Sequence, residues 1–291
     1  MKKNNNLIAI SGKIGSGKDT VGKIIQYLVG ENKYDKEEWY ESLEDFCKDT
    51  PGENSFDSGF KIKKFADKLK DIVCLLLSCT REQLEDQEFK EKELGEEWWK
   101  YEQYDKSINE WSNTSKNFYD RLNHVKNAKF RIIKLTPRLL LQLLGTECGR
   151  EIIHPNIWIN SLMSDYKAIS GYMSSDMTLG AIFYGEDGNV TERVVGNKVP
   201  GTAKDTRIFP KWIITDLRFP NEYDAIKDNG GITVRITRNN SAESQSTHES
   251  ETALDNYKTH DYEITNDGSL HDLYLSANTF YVTFINTKYN D

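Results

Sequence analysis

The chain has 291 residues, enough for one large domain or two small ones. Its net charge of -8 argues against a nucleic-acid polymer as the main partner, although a local basic pocket for a small anion remains compatible with it. We find no apolar run of membrane-spanning length, no secretory leader, and four cysteines without zinc or CxxC spacing. These features predict a cytoplasmic protein with reduced thiols and no membrane partner.

The first motif joins a strand, a glycine loop and a helix. Leu7–Ile10 is an apolar run typical of a buried strand, and the sequence GKIGSGK follows at residues 12–18. Apolar residues then recur at helical spacing from Val21 to Leu28. In this context a G-x-x-x-x-G-K match predicts a phosphate-binding loop, in which backbone N–H groups, the helix N-terminus and Lys18 hold the anion. The alternative is a glycine-rich turn with a surface lysine.

The residue after the lysine departs from the usual motif. A Ser or Thr normally stands there and binds Mg²⁺, whereas this chain has Asp19 followed by Thr20. We therefore predict Thr20 as the hydroxyl for Mg²⁺ and Asp19 as a helix-start residue. The predicted ATP-phosphate contacts of the loop are Gly12, Lys13, Gly15, Ser16, Gly17, Lys18, Asp19 and Thr20.

The segments that follow are an insertion, a strand and a helix. Residues 31–58 are polar and acidic and predict a surface insertion, with a short helix near residues 37–46. Phe60–Ala66 alternates like a strand, and a helix is expected from Asp67 to Leu77. Lys68 and Lys70 at its start either face a phosphate or belong to a solvated basic helix end.

The middle of the chain combines charged, aromatic and leucine-rich stretches. Residues 82–99 predict helices that cover the domain, and residues 101–129 predict either a lid or an oligomer contact, so a homodimer stays open. Thr136-Pro137 is typical of a helix start. The leucines after it predict a core face, while three polar side chains suit phosphate and a base edge; they are Arg138, Gln142 and Arg150. A helix carrying Trp158 is expected at residues 156–166.

The second half predicts further strands of a parallel sheet. Residues 179–184 and 190–195 flank a Gly-rich turn and indicate an inserted β-hairpin. Lys211–Asp216 is a buried run that ends in an aspartate, and Arg218 follows two residues later. Ligands of open α/β sheets lie beyond the carboxyl ends of strands, so Asp216 and Arg218 are placed for chemistry at the edge of the glycine loop. A capped turn, with Asp216 or Asn221 at the start of a helix over residues 222–228, is the alternative.

The C-terminal part predicts two strands, a lid and a closing helix. The strands are Ile232–Thr237 and Tyr262–Thr265, and the polar loop at about residues 239–256 predicts the lid. His248 in this loop lacks a second histidine at ligand spacing, so we expect it to make hydrogen bonds rather than bind metal. A final helix is expected after residues 266–269.

Five segments in this order resemble the deoxynucleoside monophosphate kinases of tailed bacteriophages. They are GSGKDT (15–20), LLQLLGTECGR (140–150), TDLRFPNE (215–222), THESE (247–251) and ITNDGSL (264–270). The resemblance covers both ends and the centre of the chain, but not residues 31–58, much of residues 91–129, or the hairpin. It implies a P-loop kinase of three-layer α/β/α architecture with a mostly parallel sheet, a helical substrate-binding region, a lid and an inserted hairpin, in one domain over residues 1–291 with insertions at about 31–58, 91–130 and 170–208.

The resemblance also implies an activity, its cofactors and the residues that serve it. The γ-phosphate of ATP would pass, with Mg²⁺, to a deoxynucleoside 5′-monophosphate with broad base acceptance, in the cytoplasm of a host cell. Lys18, Asp216 and Arg218 would be catalytic, Thr20 and Asp216 would hold the metal, and Asn266, Asp267 and Gly268 would border the adenine. The substrate-binding set would be Lys70, Arg138, Gln142, Thr146, Arg150, Trp158, Arg218, Glu222, His248 and Glu251. The lid carries no arginine, and Arg235, Arg238 or Arg207 would substitute.

Two alternatives remain open at the level of sequence. One is another small-molecule P-loop kinase, such as one acting on dephospho-CoA or phosphomevalonate. The other is a nucleotide-dependent switch protein.

Overall fold

The computed structural model describes residues 5–31, 42–48, 59–126, 128–171, 181–184, 190–194, 206–238, 252–255 and 257–286. The chain divides into two compact units, Met1–Phe65 with Ile159–Asp291, and Ala66–Trp158. Most of the predicted lid at residues 239–256 and most of the predicted insertions at 31–58 and 170–208 lie outside the described residues. The described residues contain no helix long and apolar enough to span a membrane.

The first unit is built on a five-stranded parallel sheet. Its strands are β1 (Leu7–Gly12), β2 (Phe60–Lys63), β10 (Lys211–Leu217), β11 (Ile232–Thr237) and β12 (Tyr262–Thr265). Their order across the sheet is β12-β11-β1-β10-β2, and every neighbouring pair is parallel. Such strands are covered on both faces, which explains their continuous apolar runs.

The central position of β1 brings the glycine loop and the other strand ends to one edge. Ser11 is in register with Leu217 of β10 on one side and with Arg235 of β11 on the other. The prediction that Asp216 and the glycine loop share an edge is therefore confirmed. The predicted second strand ends at Lys63 rather than Ala66.

Helices cover both faces of this sheet and give the predicted three layers. One face packs against α1 (Lys18–Glu31), the short α2 (Leu43–Lys48) and the closing helix α10 (Leu270–Phe284). The other packs against α8 (Ile157–Met163), from residue 159 onward, and α9 (Pro220–Asp228). Completely buried side chains alternate between the two faces along each strand: Ile8 and Ile10 of β1 pack on the first face and Leu7 and Ala9 on the second, as do Ile213 and Ile214 of β10, respectively.

The second unit combines helices with a small antiparallel sheet. Its helices are α3 (Asp67–Leu77), α4 (Arg81–Glu85), α5 (Gln87–Glu91), a 3₁₀ turn (Glu96–Trp98), α6 (Lys116–Leu122) and α7 (Pro137–Gln142). The strands β3 (Lys100–Asp105), β4 (Glu110–Thr114) and β5 (Phe130–Ile133) form a sheet in the order β4-β3-β5. Residues 101–129, for which the sequence showed no clear periodicity, thus supply most of this sheet and α6.

The leucine-rich segment continues α7 as a wider helix. Thr136 caps α7 as predicted, since its Oγ1 accepts the Leu139 N–H at 3.2 Å. Leu143–Ile153 then adopts π-helical turns, and the His154 N–H donates to the Gly149 carbonyl at 2.9 Å. Trp158 is buried beside it and donates its indole N–H to the Gly145 carbonyl at 2.8 Å. Turns of this kind are rare and often occur at functional sites.

Two further strand pairs precede β10. β6 (Ile169–Gly171) pairs antiparallel with β9 (Thr206–Ile208). β7 (Ala181–Tyr184) and β8 (Val190–Val194) form the predicted antiparallel hairpin.

Candidate phosphate-binding site

The loop between β1 and α1 wraps around the amino group of Lys18. The Lys18 Nζ donates to the Gly12 carbonyl at 2.6 Å and to the Lys13 carbonyl at 2.7 Å. Lys18 is also the first residue of α1, so the positive end of the helix dipole lies at the same place. A full charge, a helix N-terminus and a glycine loop converge here, as the sequence predicted.

Asn266 fixes the loop from the neighbouring edge of the sheet. It follows β12 directly, is only 9% exposed, and donates its side-chain N–H to the Ser16 carbonyl at 2.9 Å. Gly17 lies against the same amide at a φ of +99°, and a Cβ placed on it would meet Asn266 Nδ2 at 2.6 Å. Only glycine combines this backbone with so close a neighbour. In the structure, Asn266 therefore supports the loop.

The loop offers donors and space that suit a phosphate. The Ser16 side chain is 2% exposed, and its hydroxyl has no hydrogen-bond partner among the described residues. A buried hydroxyl without a partner is costly unless a ligand satisfies it. A Cβ on Gly15, whose φ is +76°, would meet no atom within 4 Å, so the loop backbone is open to a close approach. These observations fit a polyphosphate at the loop.

Asp19 is held by two residues from neighbouring strands. Its Oδ1 accepts the Thr215 hydroxyl at 2.5 Å, and the Lys64 Nζ lies 3.0 Å from the same oxygen and 3.2 Å from Oδ2. Partial burial raises the pKa of the carboxyl, but the hydrogen bond from Thr215 and the charge of Lys64 outweigh it and hold the pKa of Asp19 below its ordinary value. Asp19 is therefore an ionised, oriented carboxylate at the loop.

Asp216 and Glu222 both bind backbone N–H groups. Asp216 Oδ1 accepts the Phe65 N–H at 2.8 Å, which joins the end of β10 to the segment after β2. Glu222 is 1% exposed, and its Oε2 accepts the N–H groups of Arg218 and Phe219 at 2.9 and 3.1 Å. Glu222 thus reaches back over the first turn of α9, and Asn221, one of the two predicted caps, accepts the Glu222 N–H on its Oδ1 at 3.0 Å. The predicted substrate role of Glu222 stays a prediction.

Two of the predicted arginines also reach the loop region. Arg238 is exposed and donates to the Gly15 carbonyl at 3.3 Å. Arg235 donates to Ser11 Oγ at 3.0 Å and forms an ion pair with Asp255. Arg218 lies beyond β10 with its backbone N–H on Glu222. Cationic side chains therefore follow two strands at the edge where the glycine loop lies.

The predicted acceptor residues of the second unit differ in their surroundings. Lys70 forms an ion pair with Glu85, and Arg138 pairs with Glu91 and donates to Gln87 Oε1 at 2.8 Å. Trp158 belongs to the core, whereas three others are exposed or half-buried in α7 and the π-helical segment: Gln142, Thr146 and Arg150. Their predicted role in binding the acceptor stays a prediction.

Some predicted residues cannot be placed, and others were missed. His248 and Glu251 lie outside the described residues, and only the backbone of Arg207 is described. Sequence reasoning missed Thr215 and Lys64, which hold Asp19. The available signal was their position, since each ends or follows a parallel strand at the edge of the loop.

This fold and site define the class of P-loop phosphate-binding proteins, in which a glycine loop joins a central parallel strand to a helix that begins at a lysine. A cationic edge of the sheet is typical of the kinases of this class. Residues 200–276 match the family model for deoxynucleotide monophosphate kinase. The chain is also 22% identical over 240 residues to the deoxynucleoside-5′-monophosphate kinase of Escherichia phage T5, an alignment that covers 76% of this chain and 72% of the relative.

The matched range contains β10, α9, β11 and β12, and the longer alignment extends well beyond it. Both comparisons agree with the family that the five sequence segments indicate. The chain is thus similar to deoxynucleotide monophosphate kinases over residues 200–276 and, at 22% identity, over most of its length.

Proposed function

We propose that this protein transfers the γ-phosphate of ATP to a deoxynucleoside 5′-monophosphate and releases the diphosphate and ADP. The observation that carries the proposal is the glycine loop around the Lys18 amino group, with the Ser16 hydroxyl buried and unpaired within the described structure. The family match supports the choice of a deoxynucleoside monophosphate as acceptor.

The chemistry asks the protein mainly for positioning and neutralisation of charge. Two polyanions repel each other, and phosphoryl transfer needs little covalent help once they are held in line. In the proposed complex, Lys18 leaves the carbonyls of Gly12 and Lys13 for the ATP phosphates, and Ser16 donates its hydroxyl. Arg218 grips the transferring or accepting phosphate. Arg238 is better placed than Arg235 to serve as the substitute for a lid arginine, because it is exposed at Gly15.

Oxygen ligands for a magnesium ion are available at the same edge. Bound Mg²⁺ neutralises phosphate charge and orients the oxygens of the polyphosphate. Thr20 and Asp216 are the ligands predicted from the sequence, and Asp19 is a third oxygen donor beside Lys18.

The acceptor is assigned to polar residues of the second unit. Arg138 is engaged in an exposed ion pair with Glu91, which contributes about 0–1 kcal/mol and is readily exchanged for a phosphate, and Lys70 pairs with Glu85. Gln142, Thr146 and Arg150 supply further donors, and Trp158 supports them from the core. His248 and Glu251 are assigned to the lid that excludes water from the transfer. Asp267 and Gly268, next to Asn266, would border the adenine of ATP.

A panel of acceptors tests the proposal. Release of ADP from ATP would be measured with dAMP, dGMP, dCMP, dTMP and dephospho-CoA, and without acceptor. We expect turnover with several deoxynucleotides and little turnover without them. Activity confined to dephospho-CoA would assign the chain to another small-molecule kinase, and equal ATP turnover with and without acceptor would favour a switch protein.

A further inference from the structure

We propose that Asp19 is the protein's ligand to the nucleotide-bound magnesium ion, and that Thr215 is a positioning residue that holds its carboxylate. This inference rests on the proposed binding of ATP at the glycine loop. The sequence analysis predicted the Thr20 hydroxyl as the metal ligand, whereas the ligand proposed here is the carboxylate of the preceding residue.

Compared with the usual P-loop arrangement, the hydroxyl and the carboxylate have exchanged places between helix α1 and strand β10. P-loop proteins usually place a hydroxyl directly after the loop lysine and a carboxylate at the end of a neighbouring strand, and the two together hold Mg²⁺. In this chain the residue after Lys18 is the carboxylate Asp19, and its partner on β10 is the hydroxyl Thr215. The hydrogen bond between α1 and β10 is 2.5 Å long, with the carboxylate on the helix and the hydroxyl on the strand.

Accessibility decides which member of the pair faces the ion. Thr215 is 1% exposed, and its methyl group packs against Gly22 of α1, where a Cβ would lie 2.9 Å from it. The Asp19 side chain is 64% exposed. The hydroxyl is therefore enclosed between helix and sheet, while the carboxylate remains open to a hydrated cation beside the loop.

The other predicted metal ligand is already engaged. Asp216 Oδ1 accepts the Phe65 N–H at 2.8 Å, and this bond ties β10 to the segment that follows β2. Within the described part of the chain, the Asp19 carboxylate instead contacts two side chains, Thr215 and Lys64. A Lys64 contact exposed to solvent is weak and can yield to a divalent ion.

The placement has a consequence for nucleotide binding. An ionised carboxylate one residue from Lys18 repels the ATP phosphates unless a cation lies between them. The affinity of the protein for ATP should therefore depend strongly on Mg²⁺. Asp19→Asn removes the repulsion together with the ligand, so the variant should bind metal-free ATP more tightly than the native protein.

The experiment measures the dissociation constant of ATP by calorimetry, once with excess Mg²⁺ and once with EDTA. We expect Mg²⁺ to tighten binding at least tenfold in the native protein and less than threefold in Asp19→Asn. We expect Lys64→Met to increase the ratio, because it removes the charge that offsets Asp19. Binding of Mn²⁺ to the ATP complex, followed by electron paramagnetic resonance, should weaken about tenfold in Asp19→Asn.

Thr215 is tested by Thr215→Val and Thr215→Ser. The valine should weaken Mn²⁺ binding severalfold and the serine, which keeps the hydroxyl, should restore it. Thr233→Val is the matched control, since Thr233 on β11 is a fully buried threonine that hydrogen-bonds a carboxylate, Asp261, at 3.0 Å away from the loop. Its Mn²⁺ affinity should equal that of the native protein.

The outcomes separate this inference from the proposed function. If the native protein binds no ATP, the proposed function fails. If it binds ATP but Asp19→Asn keeps the native ratio between Mg²⁺ and EDTA, the assignment of Asp19 is wrong. A Mn²⁺ affinity lost in Thr20→Val and kept in Asp19→Asn would return the ligand to Thr20.

Discussion

In the proposed function, phosphate binding depends most directly on Lys18. Its amino group lies inside the loop, on the carbonyls of Gly12 and Lys13. We expect Lys18→Ala to lower kcat by at least about a hundredfold, as removal of a single charge-stabilising donor does elsewhere. Steady-state ADP release measures this loss. Lys23→Ala, an exposed lysine of the same helix, serves as the control and should keep full turnover. Unchanged turnover in Lys18→Ala would remove the residue from the mechanism.

Substitution of Gly17 tests whether Asn266 supports the loop. Gly17→Ala forces a side chain into a left-handed backbone, at about 1–2 kcal/mol, and against the Asn266 amide. We expect chemical denaturation to show a loss of stability larger than that of Gly15→Ala, where space is open. Adding Asn266→Ala to Gly17→Ala should recover part of the difference, because the two groups are in contact. Strict additivity of the two substitutions would contradict this explanation.

At the scale of elements, the Glu222 carboxylate holds the start of α9. Glu222 binds the N–H groups of Arg218 and Phe219 while almost completely buried. We expect Glu222→Ala to lower the free energy of unfolding by about 1–2 kcal/mol, as for lost helix caps, and to reduce turnover through the displaced Arg218. Urea denaturation measures the first effect. Unchanged stability with weakened acceptor binding would instead support the direct substrate contact predicted from the sequence.

The strand pair β11–β12 carries a pH-dependent element next to the core. The ring nitrogens of His260 are buried without a hydrogen-bond partner among the described residues, and the ring packs edge-on against Tyr223 at 5.4 Å. Burial and the positive charge of Arg235 lower the pKa of His260 to about 4, from an ordinary value of 6.5. The unfolded chain therefore binds a proton between these values that the folded chain does not.

Stability should accordingly decrease as the pH falls from about 6.5 towards 4. His260→Phe keeps the ring and removes the titration, so it should flatten this slope in denaturation curves recorded across the range. His271→Phe, an exposed histidine on α10, is the control and should leave the slope as it is. The carboxyl of Asp261 does not interfere, because its pair with Lys227 and its bonds to Thr233 hold its pKa below 3.8, outside the window. An unchanged slope in His260→Phe would contradict the assignment.

At the scale of the whole molecule, ATP should stabilise the folded chain. A ligand at a hundred times its dissociation constant adds about 2.7 kcal/mol to the stability of the state that binds it. We expect a rise in Tm with MgATP in the native protein, and a much smaller rise in Lys18→Ala at the same concentration. Thermal unfolding with and without nucleotide measures both. An equal rise in the two proteins would place ATP away from the glycine loop.

The sequence alone determined the glycine loop, most elements of the parallel sheet and the resemblance to a kinase family. These depend on local signals: apolar runs bounded by glycines, a Thr-Pro helix start, and a lysine placed where a helix begins. The bounds of α3, β11 and β12 agree with prediction, because turn residues or a charged helix start stand at the ends of their apolar segments. Residues 101–129 gave no such period, and their sheet arises from pairing of β3 with the adjacent β4 across a short turn and with the more distant β5.

Only the tertiary structure decided how the residues of the site are used. Asp19 meets Thr215 and Lys64, and Asn266 meets Ser16, across separations of 45 to 250 residues. No local pattern encodes such contacts, because they follow from the order of strands in the sheet. The sequence therefore specified which groups stand at the phosphate edge, and the packing of helix on sheet decided which of them is enclosed and which is open to a ligand.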